Sequence, residues 1–232
     1  MPKGSDTATN RIYKELRRGV IVGHFKPGER LSIEDLAKRF GTSITPVRDA
    51  LQMLSQEGLI TNKPRSGFFI PYVTLKELRD MLELREILEV AAVERAVSRI
   101  TNEELDALDQ VHAGYSGDDE VSYERYITEN RRLHYLIAKA SRNERLADMV
   151  GHLHDQLLRF FVTVHTGQEM EERHKGLIKA LRSRDVETAR QVILDEVRET
   201  QEITLEHAIQ QEGANWRLKQ LAIHNVARRK GR

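Results

Sequence analysis

A short stretch near the amino terminus carries two helix patterns separated by a glycine. Residues 32–60 read SIEDLAKRFGTSITPVRDALQMLSQEGLI. Ser32 is placed to cap a helix with apolar residues at helical spacing, and Gly41 is placed to end it. Ser43 is placed to cap the next helix, which is predicted over about 44–57. Two helices joined by so short a turn are typical of a helix-turn-helix.

The residues on either side of this pair complete a winged helix. Before the pair, apolar periodicity predicts a helix over about 9–22. After it, the apolar runs 59–60 and 68–70 flank a turn at 62–67 that contains Asn, Pro and Gly. That pattern predicts a β-hairpin. We therefore predict a winged helix-turn-helix domain over residues 1–72.

The third predicted helix has one apolar face and one polar face. Val47, Ala50, Leu51 and Leu54 follow each other at helical spacing and should pack on the other helices. A recognition helix presents its exposed amino-terminal residues to the major groove, and a wing meets the phosphate backbone. The predicted DNA-binding residues are Ser43, Ile44, Thr45, Arg48, Gln52, Lys63, Arg65 and Gly67.

The charge of the chain is unevenly distributed, although the net charge is only +1. Residues 1–72 contain 12 Lys/Arg and 7 Asp/Glu, and residues 213–232 contain 6 Lys/Arg and no acid. The intervening residues 73–212 contain 19 Lys/Arg and 29 Asp/Glu. A basic amino-terminal segment beside an acidic body indicates that the first domain meets an anion, and chance clustering of charge is the alternative. For a winged helix-turn-helix, that anion is double-stranded DNA.

Composition excludes several classes of protein. The chain of 232 residues has no cysteine, which excludes disulfide scaffolds, thiolate metal sites and cysteine nucleophiles. No apolar run approaches the roughly 18 residues of a membrane helix, and the polar start lacks the apolar segment of a signal peptide. We expect a cytoplasmic protein with no membrane partner.

The remainder of the chain is predicted to be helical. Thr74 and Thr101 each begin a capping box, with a glutamate three residues later. The predicted fold class is therefore mostly α, with an N-terminal winged helix-turn-helix followed by an antiparallel six- or seven-helix bundle over 73–212. A basic tail over 213–232 is either a further helix or a frayed end. Helices are predicted over about 74–99, 101–113, 119–140, 143–165, 168–183 and 186–210, with a loop at 114–117.

Several motifs in fixed order cover most of the chain. Those of the first domain are Phe25-Lys-Pro-Gly-Glu-Arg-Leu31, Asp35-Leu-Ala37, Pro46-Val-Arg-Asp-Ala-Leu51 and Glu57-Gly-Leu-Ile60. Their order and spacing resemble the GntR family of bacterial transcription regulators. Those of the helical part are Leu84-Arg85 with Leu88-Glu89, Asn130-x-x-Leu133-His134 and His174-x-x-Leu177. They resemble the ligand-sensing domain of the FadR subfamily.

The resemblance implies a function and its partners. It implies a homodimer that binds a two-fold operator, and a helical domain that binds a small carboxylated effector. The commoner arrangement in the family is a repressor that the effector releases. One position departs from the family pattern, because Ile44 stands where an arginine is usual. An isoleucine contacts a thymine methyl group and makes no bidentate bond to guanine.

The resemblance also implies a metal site. Asn130 and His134 are four residues apart and lie on the same side of one helix. In the subfamily, Asp or Asn with His at this spacing holds a divalent metal together with two later histidines. His174 matches the first of these, and the position of the second falls at Glu196. This donor set suits zinc, nickel, manganese or iron, and a polar pocket without metal is the alternative.

The remaining charged residues leave alternatives open. Arg85 lies beside an apolar stripe, where it either pairs with Glu89 or Glu86 or clamps the carboxylate of an effector. Histidines 152, 154 and 207 are interpreted as structural or solvated, and a charged His165 would suit a helix end.

Two other functions are weighed against a regulator. They are a metal-dependent helical-bundle enzyme and a winged helix that binds protein. The chain has no recognisable general acid or base, phosphate loop or nucleophile motif, which argues against the enzyme. The basic hairpin tip argues against the protein-binding module.

Overall fold

The computed structural model describes residues 7–111, 120–161 and 167–229. Within these ranges the elements confirm the predicted fold class, a winged helix-turn-helix followed by six further helices. The strands are β1 (Arg30–Leu31), β2 (Thr61–Lys63) and β3 (Gly67–Phe69). The helices are α1 (Ala8–Ile21), α2 (Ile33–Phe40), α3 (Ile44–Gln56), α4 (Leu75–Ala96), α5 (Asn102–Asp109), α6 (Glu120–Ala140), α7 (Glu144–Phe161), α8 (Gly167–Arg182) and α9 (Val186–Arg229).

One apolar core holds the winged helix together. Ile12 and Leu16 of α1 pack against the predicted apolar stripe of α3, whose four members are fully buried. Burying each aliphatic side chain stabilises the fold by about 1.5–3 kcal/mol, so this face fixes the orientation of α3 in the domain. The opposite face of α3 is left to solvent, as the helical spacing predicts.

The wing is a three-stranded antiparallel sheet with β3 in the centre. The predicted hairpin of β2 and β3 is confirmed, with Thr61 opposite Phe69 and Lys63 opposite Gly67. The strand β1 pairs with the other edge of β3 and was not predicted. Because β1 has only two residues, it carries no recognisable alternation in the sequence.

The helix ends of the first domain follow the expected rules with one exception. The Ser32 hydroxyl accepts a hydrogen bond from the Asp35 N–H at 3.2 Å, and Gly41 ends α2 in the left-handed region with φ 61°. Ser43 occupies the N-cap position of α3, but its side chain makes no capping hydrogen bond. The expectation that the Ser43 hydroxyl caps α3 is therefore wrong.

The helical domain is a bundle in which α4 and α9 pack along each other and α6 packs on α7. Both predicted capping boxes are present, at Thr74 with Glu77 and at Thr101 with Glu104. Asn143 caps α7 through a hydrogen bond from the Leu146 N–H. These caps satisfy backbone groups that would otherwise lack partners where each helix begins.

Three boundaries differ from the prediction. Helix α4 ends at Ala96 instead of near residue 99, and α5 ends at Asp109 instead of near 113. The predicted end of α7 near 165 lies outside the described residues. Helix α9 continues to Arg229, so the backbone of the basic stretch is helical and not a frayed end. The predicted loop at 114–117 lies outside the described residues. No helix in the described ranges is both long enough and apolar enough to cross a membrane.

Candidate functional site

The residues predicted to meet DNA lie at the surface of the winged helix. The side chain of Ile44 is 47% exposed, an unusual position for a large apolar residue at the start of a helix. The turn of the hairpin is closed by a hydrogen bond from Ser66 N–H to Lys63 C=O, and Arg65 sits at its tip with φ 62°. Ser43, Ile44, Thr45, Arg48, Gln52, Lys63 and Arg65 are exposed, and Gly67 is half-buried.

A group of buried ionisable side chains lies inside the helical domain. Five helices each bring at least one ionisable side chain to the same place, and none of these side chains is more than 3% exposed. We call this group the polar cluster. Its members are Arg85 and Glu89 of α4, His134 of α6, His154 of α7, His174 of α8 and Glu196 of α9.

His134 lies between the two carboxylates of the polar cluster. Its Nδ1 is 2.5 Å from Oε2 of Glu89, and its Nε2 is 3.1 Å from Oε1 of Glu196. The other carboxylate oxygen of Glu196 is 3.5 Å from Nε2 of His174. The structure therefore brings together three of the four predicted ligands, and their donor atoms lie within 4.8 Å of one another.

Asn130 is the fourth predicted ligand. It lies one turn before His134 on α6 and is 9% exposed. Within the described part of the chain, its Oδ1 atom has no hydrogen-bond partner. An unsatisfied buried carbonyl is costly, so this oxygen is suited to bind a metal or a polar ligand.

Arg85 pairs with one of the two glutamates that the sequence offers. Its Nε is 2.5 Å from Oε1 of Glu89, and its Nη2 is 3.5 Å from Oε1 of Glu196. Glu86 instead binds Arg198 through two contacts of 3.1 Å. The Nη1 group of Arg85 is buried and has no hydrogen-bond partner among the described residues. The ion pair with Glu89 thus leaves one donor for a ligand.

His154 is a member of the polar cluster that the sequence reasoning missed. Its Nε2 lies 2.8 Å from Oε1 of Glu89, and its ring stacks on His134 with centroids 4.7 Å apart. Of the two interpretations of His154, structural or solvated, its burial excludes the solvated one, whereas His152 is exposed. Histidine 165 lies outside the described residues. His154 shares one face of α7 with three apolar residues, at positions 150, 157 and 161. That helical spacing is the sequence signal that His154 is buried.

Glu89 is the second residue that the prediction did not assign to the site. The spacing of Arg85 and Glu89, one turn apart within the apolar face of α4, is the sequence signal for it. Glu89 contacts Arg85, His134 and His154, and is 3% exposed. It therefore connects three other members of the polar cluster to one another.

The electrostatics of the polar cluster follow from these contacts. Burial alone would lower the pKa of His134, but the Glu89 and Glu196 carboxylates raise it to about 9. Burial lowers the pKa of His154 to about 4, despite its contact with Glu89. Burial would raise the pKa of Glu196, but His174 and His134 hold it well below the usual range. In the absence of a metal, a proton on His134 thus balances the second carboxylate.

The donor set fits a divalent metal. Imidazole nitrogens of His134 and His174 with a Glu196 oxygen are ligands that suit zinc and other first-row metals. Metal-binding histidines usually donate their second N–H to a carboxylate, which is the position of Glu89 relative to His134. With neutral histidines, the polar cluster carries one net negative charge, because two carboxylates face one guanidinium.

Comparison with known proteins matches both domains. Residues 8–70 match the sequence family of bacterial regulatory proteins, gntR family, and residues 80–198 match the FCD domain. The regulator YdhC of Bacillus subtilis is 30% identical over 196 residues, which cover 79% of this chain and 85% of YdhC. The transcriptional repressor RspR of Escherichia coli is 25% identical and covers 89% of this chain and 92% of its own.

Solved structures agree with this assignment. The E. coli McbR/YncC structure superposes with a TM-score of 0.67 at 25% identity, over 87% of this chain and 99% of that one. The structure of Lar from Listeria monocytogenes has a TM-score of 0.60 at 21% identity, over 88% and 99%, and shares the fold.

The fold and both sites define a DNA-binding transcription regulator with a helical ligand-binding domain, and not an enzyme. The chain belongs to the gntR family of bacterial regulatory proteins and carries an FCD effector-binding domain. GntR regulators bind operator DNA and typically form dimers, and FCD domains often bind metals.

Proposed function

We propose that the chain is a homodimeric repressor that leaves its operator when a small carboxylated metabolite binds at the polar cluster, through a divalent metal. The observation that carries this proposal is the buried group of His134, His174 and Glu196, with Glu89 behind His134. Repression is supported by relatives named as repressors, such as RspR.

The DNA interface of the proposal uses the exposed face of α3 and the wing. Arg48 contacts a base edge or a phosphate, and Thr45 and Gln52 lie on the same polar face. Lys63 and Arg65 at the wing contact phosphates, and Gly67 allows close approach of the backbone. Ile44 contacts a thymine methyl group, since it is exposed and apolar at the helix start.

The metal in this proposal is held by Asn130, His134, His174 and Glu196. Zinc, nickel, manganese and iron all suit these donors. When bound, the metal supplies a cationic centre with open positions for a carboxylate. Adding a dication to the single net negative charge of the polar cluster gives one net positive charge, which favours a monoanionic effector. The Nη1 donor of Arg85 offers that effector a second anchor.

Native mass spectrometry of untagged protein tests the metal and the dimer together. We expect a dimer that carries extra mass, and we expect that mass to vanish under denaturing conditions. Glu196→Gln should remove it, whereas Asp195→Asn on the exposed side of α9 should retain it. A protein that holds no stoichiometric metal, and that shows no thermal shift with any of the four metals, would exclude the metal.

Selection of binding sites from random DNA tests the interface. The wild-type protein should select a two-fold sequence, and Ile44→Arg should change the preferred base at one position in each half-site. Val186→Arg, at an exposed apolar position of the helical domain, should keep the wild-type sequence. An unchanged consensus for Ile44→Arg would contradict the role of Ile44.

A further inference from the structure

One buried carboxylate joins the two domains. Asp155 of α7, whose side chain is 4% exposed, lies 2.8 Å from Nη2 of Arg17 on α1. The same carboxylate accepts two parallel hydrogen bonds of 2.6 Å from Arg131 on α6. We call the group Arg17, Asp155 and Arg131 the joint. A bidentate pair of this kind is directional, so it is sensitive to small rotations of the helices that carry it.

The joint extends to the end of the recognition helix. The Nε of Arg17 is 3.4 Å from Oε2 of Glu57, which is the C-cap residue of α3. The Tyr13 hydroxyl donates to the same carboxylate, and burial together with Glu57 raises its pKa, which keeps the proton on Tyr13. The carboxyl-terminal end of α3 is thus fixed to α1, and α1 is fixed to the helical domain.

The joint is also adjacent to the polar cluster at two points. His154 contacts Glu89 inside the bundle, and the next residue, Asp155, contacts Arg17. Asn130 is buried one turn from His134, and the next residue, Arg131, binds Asp155. Consecutive residues on a helix point about 100° apart, so α6 and α7 each face both places. A change at the polar cluster therefore reaches the joint through a single residue step.

The surroundings of the joint leave room for movement of α1. A cleft of about 590 Å³ separates α1 from α6 and α7, and Arg17, Arg131 and Asp155 line it. Helix α7 makes two further contacts with the first domain. Gln156 lies against Gly58, and the Arg159 guanidinium donates to the C=O of Pro71 at 3.3 Å. Polar contacts around an open cleft are more easily rearranged than an apolar core.

We propose that the joint couples occupancy of the polar cluster to the orientation of the winged helix, with Asp155 as its positioning residue. This inference rests on the proposed function, because it takes the polar cluster as the effector site. A ligand that moves His154 relative to Glu89 rotates α7, and a ligand that binds the Asn130 side chain rotates α6. That turn alters the geometry in which Asp155 holds Arg17, and the recognition helix follows through Glu57.

A double-mutant cycle tests the coupling without knowledge of the effector. The four full-length proteins are wild type, His154→Gln, Arg17→Gln and the double variant, and the measurement is the Kd for the selected operator at one salt concentration. Arg17→Gln leaves the Arg131 pair with Asp155 intact, so the fold is retained. We expect His154→Gln to change the operator Kd, and we expect this change to shrink about fivefold or more when Arg17 is replaced.

A matched control and a second readout make the outcome decisive. Arg11→Gln removes a charge from an exposed position of α1 and should leave the effect of His154→Gln unchanged. Amide hydrogen exchange of α1 reports the same coupling without DNA. If His154→Gln does not fold, Asn130→Asp replaces it in the cycle.

Two results would overturn the inference. One is an effect of His154→Gln that is equal with and without Arg17 in both readouts, and the other is no effect of His154→Gln at all. Failure of the proposed function is recognised separately, by the absence of zinc or manganese binding to the wild-type protein. The double-mutant cycle still tests the coupling between the polar cluster and the joint in that case, because it perturbs the polar cluster by substitution and not by a ligand.

Discussion

The winged helix and the helical domain bury different kinds of side chain. Among the described residues of the winged helix, no polar or charged side chain is buried, and the residues predicted to bind DNA are exposed except for the half-buried Gly67. The helical domain buries three carboxylates that pair with arginines, those of Glu89, Asp155 and Glu196, together with three histidines and Arg85. Under the proposed function, stability and function depend on separate residues in the first domain and on the same residues in the second.

This difference has a physical origin. DNA is a large, charged surface that binds from outside, so its contacts need not leave water before binding. A small metabolite is recognised by enclosure, which requires polar groups where water is excluded. Buried ionisable groups are costly unless they are paired, and in the polar cluster Glu89 pairs with Arg85 and His134.

The largest expected effect on stability comes from removing the charge of Glu89, which contacts three other members of the polar cluster. Glu89→Gln leaves the Arg85 guanidinium, which cannot lose its proton, with only Glu196 at 3.5 Å. We expect a loss of about 3–5 kcal/mol in the free energy of unfolding of the metal-free protein, measured by urea denaturation. Glu86→Gln, on the same helix with an exposed Arg198 as partner, should cost less than about 1 kcal/mol. Equal costs would show that burial of the Glu89 charge is not what matters.

The next effect separates stability from DNA binding in the winged helix. Leu51 is fully buried and Gln52, the next residue, is exposed. Leu51→Ala should lower the free energy of unfolding by about 2–5 kcal/mol, because it leaves a cavity in the core. Gln52→Ala should leave stability within about 0.5 kcal/mol and weaken binding to the selected operator. If Gln52→Ala unfolds the domain or leaves DNA affinity unchanged, the separation of roles is wrong.

The sequence predicts most of the fold because helices carry their own signals. The apolar spacing of α3 and the capping boxes at Thr74 and Thr101 are local patterns, and each lies where it was expected. The strand β1 pairs with residues 37 and 39 positions further along the chain and has no local signal. The hydroxyl cap expected at Ser43 is not formed, although Ser43 occupies the N-cap position of α3.

The candidate site is only partly readable from the sequence. The family spacing identifies His134, His174 and Glu196, and the structure brings their donor atoms together. His154 lies on the otherwise apolar face of α7, whereas His152, two residues before it, lies on a different face and is exposed. The joint at Asp155 depends on residues 138 and 24 positions apart along the chain. Contacts of that range follow from the packing of whole helices, which no local pattern encodes.

The smallest change in stability is expected at the wing, where a substitution should alter DNA binding and leave the fold almost unchanged. Arg65 adopts φ 62° at the hairpin tip, a conformation that is strained for an arginine and free of strain for glycine. Arg65→Gly relieves that strain but adds freedom to the unfolded chain, so stability should change by less than about 1 kcal/mol. The magnitude of the slope of log K against log salt for operator binding should fall by about 2, since each protomer of the proposed dimer loses one phosphate contact. Arg65→Lys keeps the charge and should keep the slope. A glycine variant with the wild-type slope would show that the wing tip does not contact DNA, and that the DNA-binding charge lies on α3.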